Sequence, residues 1–171
     1  DPKLFTHNQI KKNFTKKNKI KLIDNNLIDE IENIKINDNA PFYSLKQKIV
    51  GESSASKINK ISKYLKKNKS DYLFISAPEN VAWILNIRGK DVPNSPLPNC
   101  RLIISKTKKL FLITKIQKAK QLIKEQIIKK DELIDNNDIT KIISNLKGNN
   151  FIIDNKTCSI YYENLITSKF K

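Results

Sequence analysis

The stretch RLIISKTKKLFLIT, residues 101 to 114, decides how this chain folds. Two apolar runs, Arg101 to Ser105 and Leu110 to Thr114, flank the four residues KTKK. Strands so close in sequence can pair only antiparallel, so the stretch reads as a hairpin. Upstream, ESSASKINKISKYLKKNK follows Gly51, with a serine cluster able to cap exposed amides and Ile58, Ile61 and Leu65 at helical spacing. Asp71 to Ser76, DYLFIS, is an apolar run of strand length. A helix followed by a buried strand belongs to a layered α/β domain, and the hairpin keeps its sheet from being wholly parallel.

Outward from this centre, Ala77 and Pro78 turn into a short helical ENVAWILN, with Pro in the first turn and Glu79 near the positive helix end. Gly89 to Asn99 must be loop, because its prolines exclude both helix and interior strand. Helical spacing returns over Ile116 to Lys130 and over Ile139 to Leu146. Glu132 to Ile134 reads as an edge strand and Phe151 to Asp154 as a strand. A last helix, Thr157 to Phe170, is expected with Thr157 or Asn155 as its cap. Toward the N-terminus, Ile10 and Phe14 form a narrow helical seam within His7 to Lys19, Ile20 to Ile23 suits a strand, and residues 25 to 34 place Leu27, Ile28, Ile31 and Ile34 on one helix face. The stretch IKINDNAPFYSL, with Asn39, Ala40 and Pro41, reads as a linker or an extended crossing, which sets a domain boundary near residue 38. No repeat of twenty to fifty residues is present.

The chain carries a formal charge of +16. Its lysines are scattered through every segment in the company of Asn and Ile, the residues of A/T-rich codons, so a solvated basic surface accounts for the charge better than a nucleic-acid stripe does. A basic nucleic-acid binder or a stand-alone scaffold is the alternative. The apolar runs are far too short to span a bilayer, and the N-terminus lacks the pattern of a secretory signal. A cytoplasmic protein is expected, with Cys100 and Cys158 as two buried thiols in a reducing compartment. The sequence contains no Met, which leads to the expectation of a piece of a longer polypeptide.

Reaction machinery is sparse. His7 is the one histidine, and there is no HExxH, no Cys/His cluster and no glycine-rich phosphate loop. Asp29, Glu30 and Glu32, like Asp131, Glu132, Asp135 and Asp138, read as solvated helix faces. No catalytic or metal-binding residue is expected in the chain.

The scarce residues gather elsewhere. Within ENVAWILNIRGKDVPNSPLP, residues 79 to 98, lie the one Trp, one of three Gly, and one of the two arginines. Trp83 is expected to lock its helix onto the sheet. Gly89 allows a positive-φ turn or a close backbone approach, and Pro93 and Pro96 reduce the ordering entropy of the loop. Arg88 keeps a planar five-donor fork in a chain that otherwise uses Lys. It is either clamped on Asp91 or on loop carbonyls, or it faces a carboxylate of another domain or a peptide substrate. Asn86, Arg88 and Asp91 are thus the candidate substrate-cleft or interdomain contacts, and Trp83, Gly89, Pro93 and Pro96 the loop anchors.

The run GESSASKI…ENVAWILNIRGKDVPNSPLP…RLIISKTKKLFLI resembles the middle domain of three-domain Xaa-Pro aminopeptidases of the creatinase/prolidase group. DPKLFTHNQI and KLIDNNLIDEI look like the tail of the first domain and a connector, and FIIDNKTCSIYYENL is similar to the last strand and helix of the middle domain. The resemblance implies residues 1–38 as a remnant of the first domain and 39–171 as a middle domain. Its implied fold is the creatinase N-terminal, ribonuclease-H-like one: a three-layer α/β domain with a mixed β-sheet flanked by helices. It further implies a parent that removes N-terminal residues before proline with a pair of manganese ions held in a separate pita-bread domain, and that acts as a homodimer. The segment DVPNSPLP lacks the aromatic that follows DVP or DIP in many relatives.

Overall fold

Alternation along the central strands sorts the apolar side chains into two cores, one on each face of a single sheet. The computed structural model describes residues 1–15, 17–23, 26–31 and 40–171. Its main sheet has the order β6-β5-β4-β2-β7, built from β2 (Tyr72–Ile75), β4 (Arg101–Ser105), β5 (Leu110–Ile113), β6 (Leu133–Ile134) and β7 (Phe151–Ile152). The β4–β5 hairpin pairs Arg101 with Ile113 and Ile104 with Leu110, antiparallel as its spacing required. β2 also runs antiparallel to β4, whereas β7 on one edge and β6 on the other pair parallel. The sheet is therefore mixed.

Because side chains on a strand alternate between faces, Leu73, Ile75, Leu102, Ile104, Leu110 and Leu112 fall on one side. Phe74, Ile103, Phe111 and Ile113 fall on the other. Helices α3 (Ser54–Lys67), α4 (Pro78–Leu85) and α5 (Ile116–Lys124) cover the first face with Ile58, Ile61, Val81, Ile84, Leu85, Ala119 and Leu122. Helices α6 (Ile139–Asn145) and α7 (Ile160–Thr167) cover the second with Ile139, Ile143, Tyr162 and Ile166. This is the expected three-layer α/β architecture. Each fully buried Leu, Ile or Phe contributes about 1.5–3 kcal/mol, so the two cores dominate stability. Cys100 and Cys158 are free and buried, in opposite cores, and burial pushes both thiols up to about 12.

Several boundaries differ from the sequence expectation. A second, two-stranded sheet pairs β1 (Tyr43–Ser44) with β3 (Ile87–Arg88) in segments read as linker and loop edge. Phe42, just before β1, is buried and Tyr43 is exposed. α5 stops at Lys124 because Gln126 takes a positive φ of 58° and the Ile127 amide closes back on Leu122 O at 2.9 Å. Ile127 and Ile128 reach the core from this turn, which explains why helical spacing seemed to continue. The N-cap position of α7 is Ser159, which makes no side-chain capping bond, and not Thr157 or Asn155, since the Asp154 carboxylate folds residues 154–157 into a turn of their own. In the N-terminal stretch, α1 (His7–Asn13) ends at Phe14 after a Thr6/Gln9 capping box, and residues 20–23 form no strand. α2 (Leu27–Ile31) leaves Leu27, Ile28 and Ile31 exposed. Ile34 and the boundary near residue 38 lie outside the described residues.

Candidate docking site at the Arg88 turn

α4 ends at Asn86, which adopts the left-handed conformation (φ 55°) and turns the chain directly into β3. The side chain of Asn86 is used internally. Its Nδ2 donates to Glu52 O at 3.0 Å, and its Oδ1 accepts from Lys57 Nζ at 2.7 Å. Lys57 projects from α3, is only 4% exposed, and also donates to Trp83 O at 2.5 Å. Its ammonium lies 4.1 Å from the centre of the Trp83 ring. Burial depresses the Lys57 pKa, an effect that Glu52 opposes and Arg88 reinforces.

Trp83 does not lock α4 onto the sheet. Val81, Ala82, Ile84 and Leu85 do that, and the indole stands 57% exposed, its ring supporting the Lys57 ammonium. Arg88 is half-buried and clamped on carbonyls: Nη1 donates to Ile87 O at 2.8 Å and to Ala82 O at 3.4 Å. Asp91 is not its partner. The Asp91 carboxylate turns inward to form a buried ion pair with Lys118 from α5, with side-chain exposures of 2% and 1%, and also accepts the Asn99 amide.

The loop from Gly89 to Asn99 is thereby held from both ends. The Gly89 amide donates to Pro96 O at 3.2 Å and the Asp91 amide to Leu97 O at 3.2 Å, while Val92 and Ser95 form an antiparallel bridge. A Cβ on Gly89 would lie 2.6 Å from Pro98 Cα and 2.9 Å from Leu97 O, so glycine is required for close backbone approach and not for a left-handed φ. Thr114 Oγ1 donates to Asn99 O at 3.0 Å, tying the loop to the end of β5. Of the three candidate contacts, Arg88 and Asn86 line a groove of about 360 Å³ between residues 45–52 and α4, and Asp91 lies beneath the loop that follows.

A family model described as the creatinase/prolidase N-terminal domain matches residues 34–171. The chain belongs to the creatinase/prolidase N-terminal domain family. Xaa-Pro aminopeptidase 1 of Dictyostelium discoideum is 34% identical over 79 residues, 42% of this chain and 13% of that protein. The Xaa-Pro aminopeptidase ApepP of Drosophila melanogaster is 31% identical over 93 residues, 53% of this chain and 15% of that one. The chain thus spans only a small part of the curated relatives it matches. Among solved structures, the X-prolyl aminopeptidase of Caenorhabditis elegans, described as a cytosolic enzyme with a di-nuclear active site, superposes with a TM-score of 0.62. That match is 23% identical and covers 72% of this chain and 20% of the enzyme, so it supports the fold.

The donors for the manganese pair that the resemblance implies are not assembled in this creatinase/prolidase N-terminal domain: among the described residues no three His, Cys, Asp or Glu side chains come together. Among them, too, no helix is long and apolar enough to cross a membrane. Sequence reasoning passed over Lys57 and Lys118. The signal was available, since Lys57 recurs with Ile61 and Leu65 at four-residue spacing and Lys118 stands four before Leu122, each placing a lysine on the core face of its helix.

Proposed function

We propose that this domain is a non-catalytic module of a metal-dependent Xaa-Pro aminopeptidase, docking through the Arg88 turn on the catalytic domain of the same polypeptide and helping to shape the cleft for proline-containing peptides. The observation that carries the reading is the fixed presentation of Arg88: a guanidinium set by two carbonyls, at the mouth of a loop pinned by a buried ion pair and a glycine with no room for a Cβ. Surface loops with no partner to meet are ordinarily mobile and variable. On this reading the manganese pair and the bond breaking belong to the catalytic domain, the full-length protein is a cytoplasmic homodimer, and the chain alone hydrolyses nothing. Membership of the family and the names of its relatives support it.

The test compares hydrolysis of Xaa-Pro peptides by the full-length protein, its Arg88→Lys variant and the 171-residue chain. Full-length protein is expected to release the N-terminal residue, the variant to lose kcat/KM because an ammonium cannot reproduce the fork, and the chain to be silent. Turnover by the purified chain would refute the reading.

A further inference from the structure

The groove beside Arg88 holds two cations whose hydrogen-bond partners are all uncharged. Lys57 donates only to Trp83 O and Asn86 Oδ1, which leaves one of the three ammonium donors unspent. Arg88 spends Nη1 on two carbonyls, and among the described residues Nη2 and Nε have no acceptor. The carboxylate lining the same groove, Glu52, is engaged at 2.7 Å by Lys60 and at 2.5 Å by the Ser56 hydroxyl. Glu52 opposes the effect of burial on Lys57 but makes no hydrogen bond to it, and Arg88 is hydrogen-bonded only to carbonyls, so both cations can take up a further counter-charge.

We infer that the groove is a receptor for one carboxylate, an Asp or Glu side chain on the docking face of the catalytic domain, held by the free edge of Arg88 and by Lys57 against the exposed Trp83 ring. The inference rests on the docking reading above. Charge selects an anion: Glu52 is engaged by Lys60, so Lys57 and Arg88 leave the groove net positive. The walls agree, because Leu45, Val50 and the exposed Ile49 offer apolar contact to the methylenes and neighbours of an acidic side chain. The planar guanidinium suits the two oxygens of a carboxylate, and a neutral carbonyl would leave both cations uncompensated.

Trp83 is the one tryptophan of the chain and lies against Lys57, so its fluorescence reads the site directly. The 171-residue chain is titrated at constant ionic strength with N-acetylglutamate α-amide, with its neutral isostere N-acetylglutamine amide, and with inorganic phosphate. The acidic probe is expected to give a saturable change that the neutral probe does not, with phosphate weaker. Arg88→Gln, a half-exposed site tolerant of exchange, is expected to weaken the acidic probe about tenfold or more. Equal responses to the acidic and neutral probes, a preference for phosphate, or an unchanged response in Arg88→Gln would overturn the inference. Loss of carboxylate binding with docking intact would remove this inference alone, whereas carboxylate binding without docking would remove the docking reading.

Discussion

Replacing Lys118 by Met removes the cation from beneath the Arg88 loop and leaves the Asp91 carboxylate, 2% exposed, with the Asn99 amide as its remaining hydrogen-bond donor. Truncating one partner of a buried ion pair costs about 3–5 kcal/mol, because the surviving charge is desolvated without its counter-ion. Folded domains are stable by about 5–15 kcal/mol, so the loss is a large share of the total. For a chain of this size each kcal/mol moves Tm by roughly 2–4 °C, which puts the expected drop at about 6–20 °C. Asp91→Leu removes the anion that faces the Lys118 ammonium, which is 1% exposed, and should also destabilise. The double variant Lys118→Met, Asp91→Leu should be more stable than Lys118→Met, since no buried carboxylate is then left without its counter-ion, against loss of the bond from the Asn99 amide, about 1 kcal/mol. Urea and thermal unfolding followed by circular dichroism give the four free energies of the cycle, and amide exchange should show residues 89–99 opening more readily in the single variants. Single variants within about 0.5 kcal/mol of the parent, or strictly additive effects, would refute the claim that this pair fixes the loop.

Gly89→Ala is expected to destabilise by about 1–3 kcal/mol, since its Cβ meets backbone atoms of Leu97 and Pro98, whereas Gly51→Ala, with nothing within 4 Å, should be neutral or mildly stabilising in the same thermal melts. Asp71, held by Lys106 first and then by the Asn149 and Asn150 amides, has its pKa lowered to about 2. A depressed carboxylate contributes stability above its unfolded value of 3.8 and loses it as pH falls through about 2. Allowing for the half-exposed Lys106, Asp71→Asn should therefore cost about 1–2 kcal/mol at neutral pH and nothing below about pH 2, read as converging acid-unfolding curves.

The central strands were legible as short apolar runs over residues 72–75, 101–105 and 110–113, and the hairpin followed from the four residues between the last two. The edges were not. β1 and β3 are two residues long, and pairing Tyr43 with Arg88 depends on tertiary contact that no local pattern announces. The rarity of Arg88 and Gly89 drew attention to the turn; of the partners left open for Arg88, the structure gives carbonyls, those of Ala82 in α4 and Ile87 in β3 instead of the loop. The roles of Asp91 and Trp83 came out differently: Asp91 was read against its neighbour Arg88 and Trp83 against the sheet, while the actual partners, Lys118 and Lys57, come from helices distant in sequence. Lysines at core-facing helical positions were the overlooked clue, hidden in a chain where lysine is everywhere.

The central claim, that a fixed Arg88 turn exists to meet a catalytic domain, is tested most directly by isothermal titration of the chain against the separately produced catalytic domain of its own polypeptide. A saturable complex weakened about tenfold or more by Arg88→Gln is the expected result. No complex, or one indifferent to that substitution, would contradict it.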